Sequence, residues 1–389
     1  MKRSVPLVIA ACALSAAAGY LLFIYTLAIK ALLFLRFNDF GKFYLAVQQF
    51  RHGISLYAPN DATLIPLGNG ASKELLNLNP PHFHFVLLPF MLLSEGHAYL
   101  AWIVTNSALL LLSWRMIQRE LRLAPSPNEL LIGFLLFAAA APTLAWIATG
   151  QLTGILVAII TRTWVDARNE RWTLAGCGIG LACAVKLFFG PLALYLCLRR
   201  KWRAVIAGGC VAGLIVAAGI GFFGMSEYRA WVSALSVVTW RWLPMNASIT
   251  APFFRIATGD PLHPKQIPAG LGFSLTLFSG IVILIGTWSG LKARRIDDGL
   301  SVLLLTCVLG SPLGWVYYHW IMAGPALVTF RAPGAAVTLA GAALLIPFVV
   351  LFPWNSPLFA VTVGSAYSWA TCTLWVAAIH RARDDREGG

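Results

Sequence analysis

The chain has 389 residues, of which 59% are hydrophobic and only 11% are charged. Soluble domains carry about 25% charged residues, so this composition excludes a water-soluble globular protein. The 29 lysines and arginines outnumber the 15 aspartates and glutamates and give a formal net charge of +14.

Apolar runs dominate the sequence from one end to the other. Because one bilayer crossing takes roughly 20 apolar residues, this length leaves room for about a dozen transmembrane helices. The pattern disfavours a closed membrane barrel, because its strands would alternate between apolar and polar residues. We therefore predict an all-α polytopic membrane bundle of about twelve helices, built as one integral membrane domain over residues 1–389. The apolar runs lie at 5–29, 97–117, 129–148, 151–165, 172–185, 188–198, 203–223, 269–291, 299–310, 315–330, 334–352 and 357–379.

The first run follows Met1-Lys2-Arg3, as the apolar core of a signal peptide would. It is too long for such a core, so we expect it to be kept as the first transmembrane helix. The cysteines all lie inside apolar runs and form no CxxC pair, which indicates core residues rather than disulfides or metal ligands. They are residues 12, 177, 183, 197, 210, 307 and 372.

The basic residues report the orientation of the chain. If the N-terminus is cytoplasmic, 19 of the 29 lysines and arginines lie in short connections on the cytoplasmic side, as the positive-inside rule requires. The net charge is then a topology signal and calls for no nucleic-acid partner. This layout predicts a multi-pass protein of the cell (inner) membrane with its long loops on the periplasmic or exterior side.

The long outer loops lie at 36–81 and 224–268. The first has apolar residues at helical spacing, which predicts an amphipathic helix on the membrane surface, ended by Gly53. The second is rich in aromatic residues, which favours an interfacial helix. The apolar positions are Phe40, Phe43, Tyr44, Val47 and Phe50 in the first loop, and Tyr228, Trp231, Trp240 and Trp242 in the second.

The segment 82–94, HFHFVLLPFMLLS, is apolar but short and contains Pro89. If it crossed the bilayer, the orientation of every later helix would be inverted. We therefore interpret it as an interfacial or re-entrant helix on the outer side.

Asp39 follows the first predicted helix directly, at the start of the amphipathic helix. One interpretation is a helix cap, a common role for Asn or Asp at such a position. The other is a carboxylate at the lipid–water boundary that removes a proton from an acceptor hydroxyl. Composition by itself leaves both open.

Lys186 interrupts the apolar stretch LACAVKLFFGPLALYL between two short predicted helices. A cation near the hydrocarbon region is costly and marks a functional candidate, for which a lipid phosphate is the obvious partner. The alternative is a lysine that extends its ammonium group to the interface.

Other polar residues fall on the same outer side. The segment SPLGWVYYHW (311–320) is either an aromatic belt or a platform for stacking against a sugar. The turn TGQLTG (149–154) either closes a helical hairpin or lines a cavity. The outer-side candidates are Asp39, His82, His84, Gln151, Lys186, Asn246, Arg255, Tyr318 and His319.

The acidic pairs Asp297-Asp298 and Asp384-Asp385 fall on the cytoplasmic side of this layout, where we expect them to be solvated loop charges. The outer side then has no DxD or HxxxH arrangement for a divalent cation, so we expect no metal. No GxGxxG or P-loop is present either, and we expect no cofactor.

In their order and spacing, several short motifs resemble glycosyltransferase family 87 of the GT-C superfamily, over most of the chain. The motifs are NDF (38–40), HGISLY (52–57), NPPHFHF (79–85), GQLTG (150–154), AGCGIGLACAVKLFFGP (175–191), NASITAPFFR (246–255) and SPLGWVYYHW (311–320). The chain departs from the family in having Asn79 where an aromatic residue commonly precedes the Pro-Pro pair. It also has Tyr317 and Tyr318 where a histidine often stands.

The resemblance implies an enzyme that moves a sugar, often mannose and sometimes arabinofuranose, from a polyprenyl-phosphate donor to a lipid or glycan acceptor outside the cytoplasm. It implies that Asp39 is the general base and that Lys186 and Arg255 lie near the donor phosphate. Attack opposite the phosphate would invert the anomeric centre. The remaining outer-side candidates would contact substrate: His82, His84, Gln151, Asn246, Tyr318 and His319.

Two other classes of protein stay open on the sequence. A transporter or flippase of lipid-linked sugars would carry polar residues at mid-membrane and paired repeats with broken helices. An assembly protein would use Asp39 only as a helix cap.

Overall fold

The computed structural model describes residues 39–66, 72–74, 76–236, 240–259, 265–347, 351 and 356–384. Helices make up most of this part of the chain, which confirms the predicted all-α class. The predicted first transmembrane helix at 5–29 lies outside the described residues.

Sixteen α-helices are described, numbered here in chain order. They are α1 (Asp39–Arg51), α2 (Glu95–Leu121), α3 (Pro127–Ala139), α4 (Ala141–Thr149), α5 (Thr153–Arg168), α6 (Trp172–Val185), α7 (Gly190–Leu198), α8 (Trp202–Phe223), α9 (Met225–Ser236), α10 (Ala251–Thr258), α11 (Ala269–Lys292), α12 (Ile296–Leu309), α13 (Ala323–Thr329), α14 (Ala335–Ala343), α15 (Pro357–Val361) and α16 (Ala366–Asp384).

Shorter elements connect these helices. The 3₁₀ helices span Pro81–Leu92, Leu187–Phe189, Val316–Met322 and Val363–Ser365. The first outer loop also contains two antiparallel strands, β1 (Leu64–Pro66) and β2 (Ser72–Glu74), in which Leu64 pairs with Glu74. The sequence analysis did not predict these strands.

Three described helices are long and apolar enough to cross a membrane, namely α2, α8 and α11. The helices α3 and α4 form a fourth span if they are taken together, although they are bent by 54° at their junction. The bend lies at Ala140, where the backbone turns extended before Pro142. The count of twelve crossings stays a prediction, because the other apolar helices are shorter.

The helix α12 lies at the centre of the bundle. Its residues from Asp297 to Leu309 are all buried, and it packs against α11, α13 and α16. A helix that is apolar on every side needs such an enclosed position. Exposed leucines and isoleucines lie instead on helices such as α8 and α11.

The helices α6 and α8 cross at close range, and glycines make this possible. A Cβ atom on Gly208 would lie 2.6 Å from the carbonyl oxygen of Gly176, and one on Gly180 would meet the backbone of Gly208. Small residues at four-residue spacing let helix backbones touch in this way. The crossing fixes the end of α6, after which Lys186 follows.

The first outer loop contains a helix where the sequence predicted one, namely α1. Its place on the membrane surface stays a prediction. Phe40, Phe43, Tyr44 and Val47 are almost completely buried against the bundle, and Lys42 is buried with them. The helix is therefore a packed element of the protein. Its N-terminal turn holds Asp39.

The segment 82–94 forms a 3₁₀ helix over Pro81–Leu92, an unusual length for this helix type. It packs against α1, α2 and α8 and buries His82, Phe83 and His84. It thereby joins the first outer loop to the bundle.

The prediction that Asp297 and Asp298 are solvated is wrong. Both side chains are buried at the start of α12. Asp297 accepts hydrogen bonds from Trp164 Nε1 (2.7 Å) and Arg168 Nη1 (3.2 Å), and Asp298 accepts one from Thr329 Oγ1 (2.8 Å). Burial of a carboxylate requires such partners, which the spacing of residues in the chain does not reveal. Asp385 and the side chain of Asp384 lie outside the described residues.

Candidate active site

The carboxylate of Asp39 is held by two side chains. Its Oδ1 accepts a hydrogen bond from Lys42 Nζ at 2.8 Å, one turn further along α1. Its Oδ2 accepts a hydrogen bond from the side-chain amide of Gln151. The side chain is 15% exposed, so an acid with a fixed orientation lies where solvent can still reach it.

Gln151 reaches Asp39 because the turn between α4 and α5 is pressed against α1. Gly150 ends α4 in the left-handed region with φ +66°. A Cβ atom there would lie 2.6 Å from Phe40 Cβ and 2.9 Å from a ring carbon of Tyr99. Only glycine fits both the conformation and the space.

One face of α2 holds the other side of this turn. Tyr99 donates a hydrogen bond to the carbonyl oxygen of Ile147 (2.5 Å), and Trp102 Nε1 donates one to that of Gly150 (2.8 Å). Asn106 Oδ1 accepts one from the backbone N–H of Gly154 at 2.9 Å. The three donors and acceptors follow helical spacing, so a single helix face sets the position of the turn.

We expect Gly150→Ala to lower the sugar transfer that the family resemblance implies by about 10-fold or more, because displacement of a catalytic group by 1 Å can lower a rate by about 100-fold. Gly53→Ala is the matched control. Gly53 also has a positive φ (+77°), but open space surrounds it, so this variant introduces the backbone strain without the clash. Equal activities of the two purified variants would contradict the positional role of Gly150.

Lys186 follows the last residue of α6 in an extended conformation (φ −144°) and is half-buried. Its Nζ donates a hydrogen bond to Asn79 Oδ1 at 2.5 Å. Asn79 is itself fixed, since its carbonyl oxygen accepts from Tyr57 Oη (2.6 Å) and its N–H donates to Asn77 Oδ1 (3.3 Å). The residue by which this chain departs from the family pattern therefore holds the candidate phosphate-binding lysine.

Lys186, Tyr317 and Tyr318 all interact electrostatically with the Asp39 carboxylate. Both tyrosines are buried, and the ring centroid of Tyr318 lies 4.7 Å from that of Phe188. The cluster thus combines one carboxylate, ammonium groups, an amide and aromatic rings. These are the groups that a sugar phosphate and an acceptor hydroxyl require.

His82 and His84 are buried and bonded within the protein. His82 Nε2 lies 2.7 Å from the carbonyl oxygen of Ala184, and its Nδ1 lies 2.8 Å from Tyr228 Oη. His84 accepts from Asn77 Nδ2 at 3.0 Å and bonds to the carbonyl oxygen of Pro81. Burial lowers the pKa of both rings, to about 4 for His84. His84 is therefore neutral at neutral pH and supports Asn77 beside the site.

Arg255 is completely buried and surrounded by acceptors. Its guanidinium donates to the carbonyl oxygens of Trp242 (3.1 Å), Leu243 (2.8 Å) and Asn246 (2.6 Å) and to Ser365 Oγ (2.7 Å). Burial lowers its pKa to about 9, so it stays cationic at neutral pH. These contacts connect the second outer loop to the chain near α15, and none of them is with Asp39, Lys42 or Lys186.

Asn246 joins the second outer loop to the SPLGW segment. Its Nδ2 donates to the carbonyl oxygens of Arg241 (2.7 Å) and Pro312 (3.0 Å), and its Oδ1 accepts from Ser248 N–H. Its backbone forms an isolated antiparallel bridge with Trp315. Asn246 thereby positions the segment from which Tyr317 and Tyr318 reach the cluster.

The described hydrogen bonds of His319 are with its own 3₁₀ helix and with α16. Its Nδ1 lies 2.8 Å from the carbonyl oxygen of Val316, and its Nε2 lies 2.8 Å from Thr371 Oγ1 of α16. It connects the 3₁₀ helix Val316–Met322 to α16.

The structure thus sorts the outer-side candidates into two groups. Asp39, Gln151, Lys186 and Tyr318 meet in one cluster. The described contacts of the others lie around that cluster or in the second outer loop: His82, His84, Asn246, Arg255 and His319. Three members of the cluster were missed, namely Lys42, Asn79 and Tyr317. The spacing of Lys42 from Asp39, three residues along a predicted helix, was the one available signal.

Comparisons with known proteins agree with this chemistry. The sequence model of Glycosyltransferase family 87 matches residues 77–347. An alpha-(1->3)-arabinofuranosyltransferase of Mycobacterium tuberculosis (strain H37Rv) is 27% identical over 329 residues, which cover 77% of this chain and 67% of that protein. No solved structure matches the chain.

Two further relatives come from Mycolicibacterium smegmatis. A polyprenol-phosphate-mannose-dependent alpha-(1-2)-phosphatidylinositol pentamannoside mannosyltransferase is 25% identical over 318 residues, covering 77% of this chain and 76% of the relative. A polyprenol-phosphate-mannose-dependent alpha-(1-2)-phosphatidylinositol mannoside mannosyltransferase is 24% identical over 329 residues, covering 75% and 72%.

Proposed function

Because the chain belongs to glycosyltransferase family 87, we propose that it transfers mannose from a polyprenyl-phosphate donor to a hydroxyl group of a lipid or glycan acceptor. The observation that supports this most directly is the cluster around Asp39, in which Gln151 and Lys186 come from two other segments to the acid and the lysine of α1. The choice of mannose and of a lipid-linked acceptor follows the names of the mannosyltransferase relatives.

Asp39 is the general base of this proposal. Lys42 and Gln151 orient its carboxylate from two sides, and the carboxylate is partly exposed to an incoming acceptor. A base held in this way takes the proton of the attacking hydroxyl as the new glycosidic bond forms.

Lys186 stabilises the leaving phosphate. Asn79 is the one hydrogen-bond partner of its Nζ among the described residues, and an ammonium group has three N–H donors. The remaining donors can bond the phosphate, whose negative charge grows as the sugar leaves. We assign this contact to Lys186, and we assign Arg255 the role of holding the second outer loop in place.

A single displacement with one base predicts inversion at the anomeric carbon. The phosphate leaves from one face of the sugar while the acceptor oxygen enters from the other. Tyr318 is buried against Phe188, with ring centroids 4.7 Å apart, and we assign the stacking contact with the sugar to the half-buried ring of Phe188.

We place the reaction on the periplasmic or exterior face of the cell membrane, since the positive-inside distribution puts the loops of Asp39 and Lys186 there. The apolar surface of α2, α8 and α11 keeps the protein in the bilayer, where a polyprenyl chain also lies.

The test is transfer by the purified protein in lipid vesicles. Radiolabelled polyprenyl-phosphate mannose and polyprenyl-phosphate arabinofuranose are supplied separately, with a phosphatidylinositol mannoside as acceptor. We expect mannose to be transferred, with the anomeric configuration inverted in the product by NMR. Transfer of arabinofuranose alone would overturn the choice of sugar, and a retained configuration would overturn the single displacement.

A further inference from the structure

Lys42 is a buried cation in the centre of the site to which neither the sequence nor the family motifs assign a role. It is 5% exposed. Its Nζ donates to Asp39 Oδ1 (2.8 Å) and to the carbonyl oxygen of Leu76 (3.2 Å). An ammonium group has three N–H donors, so one donor has no hydrogen-bond acceptor among the residues that the structure describes.

The described charges of the site do not balance. Among the described residues, the Lys42 ammonium pairs with the Asp39 carboxylate at 2.8 Å, whereas the Lys186 ammonium bonds the neutral side chain of Asn79. Two ammonium groups therefore lie beside one carboxylate, and Lys186 has no carboxylate partner in this part of the chain. Charges removed from water need partners of opposite sign. The cluster therefore lacks one negative charge before substrate binds.

We propose that Lys42 is a second phosphate-binding cation, which bonds the Asp39 carboxylate and the donor phosphate at the same time. This inference rests on the proposed function. The sugar phosphodiester of that donor carries one negative charge, which equals the charge that the cluster lacks. A diphosphate-linked donor would bring more negative charge than the two lysines can balance.

The reaction itself favours two lysines over one. As the acceptor oxygen bonds the anomeric carbon, the bond from that carbon to the phosphate oxygen breaks and leaves its electron pair on the phosphate. The acceptor proton moves to Asp39. The carboxylate thereby becomes neutral while the phosphate, now a monoester, gains a second negative charge, so Lys42 and Lys186 balance the charges before and after the step.

A second consequence is geometric. A single ammonium group bonded to both the base and the leaving phosphate sets the distance between them. The donor can then be held in position for attack by the hydroxyl that Asp39 deprotonates, which is where orientation lowers the barrier.

Binding of polyprenyl phosphate, the leaving group of the proposed reaction, tests the charge balance without catalysis. The protein is studied in lipid nanodiscs as four forms: wild type, Lys42→Met, Asp39→Asn and the double variant. One charge in such a site changes affinity by about 10-fold or more. We expect Asp39→Asn to bind more tightly than wild type, Lys42→Met to bind more weakly, and the double variant to resemble wild type.

The double variant guards against misfolding, because it removes both members of the buried pair and leaves neither charge alone. Arg51→Met is the matched control, since it removes an exposed positive charge from the same helix. We expect Arg51→Met to bind as wild type does. Lys42→Arg keeps the charge, and we expect it to restore most of the affinity and to lower the KM for donor relative to Lys42→Met.

Equal affinity of wild type and Lys42→Met would overturn the inference, and so would equal affinity of Asp39→Asn and the double variant. Neither result would affect the proposed function, which depends on transfer by the wild type. Conversely, failure of transfer with a preserved order of affinities would reject the proposed reaction and leave the phosphate site standing.

Discussion

Asp39→Asn is expected to lower the turnover number for sugar transfer by about 10³-fold, because positioned general bases contribute 10²- to 10⁴-fold to catalysis. Asparagine has nearly the same shape and can still accept a hydrogen bond from Lys42, but its amide cannot take the proton of the acceptor. The turnover number is measured with saturating polyprenyl-phosphate mannose in vesicles.

The matched control is Asp61→Asn. Asp61 is an exposed carboxylate in the same outer loop, and we expect its variant to keep wild-type turnover. If Asp39→Asn transferred sugar at the wild-type rate while it bound polyprenyl phosphate, Asp39 would not be the base. The helix-cap interpretation of this residue would then be preferred.

Arg255→Lys is expected to destabilise the protein by about 3 kcal/mol or more, since each buried acceptor that loses its donor costs about 1 to 3 kcal/mol. Arg255 bonds four carbonyl oxygens and two serine hydroxyls. Lysine keeps the charge, but its single nitrogen cannot bond all six of these acceptor oxygens. The measurement is the thermal unfolding temperature in detergent.

Arg229→Met is the control for the loss of an arginine in the same outer segment, because Arg229 is exposed on α9. It should unfold at the wild-type temperature. If Arg255→Lys kept the wild-type unfolding temperature and only raised the KM for the donor, the structural role would be contradicted. The prediction that Arg255 binds the donor phosphate would then be preferred.

The variants Asp39→Asn and Arg255→Lys test separately two residues to which the sequence analysis gave related roles. Asp39 and Arg255 were both predicted on the outer side, and motif order implied that both serve the donor and acceptor. The structure gives the Asp39 carboxylate two side-chain partners and partial exposure, whereas it encloses Arg255 with protein acceptors. Two of these contacts, between Gln151 and Asp39 and between Ser365 and Arg255, join residues that are 110 or more positions apart, and no local pattern contains them.

The helices could be predicted from the sequence because their signals are local. The apolar run at 172–185 is α6, and the run at 203–223 differs from α8 by one residue. The period of the apolar residues after Asp39 indicated α1, and Gly53, Gly150 and Lys186 marked the ends of helices. Each signal depends on residues within a few turns of one another.

The sequence by itself determined that this is an all-α membrane protein, and its motifs indicated a family 87 glycosyltransferase with Asp39, Gln151, Lys186 and Tyr318 as candidates. Only the tertiary structure decided that Gln151 bonds the Asp39 carboxylate and that Asn79 holds Lys186. The physical reason is the range of the interactions. Apolar burial and helix formation repeat along the chain, whereas the pairing of a buried charge depends on which distant segment the fold brings within 3 Å of it.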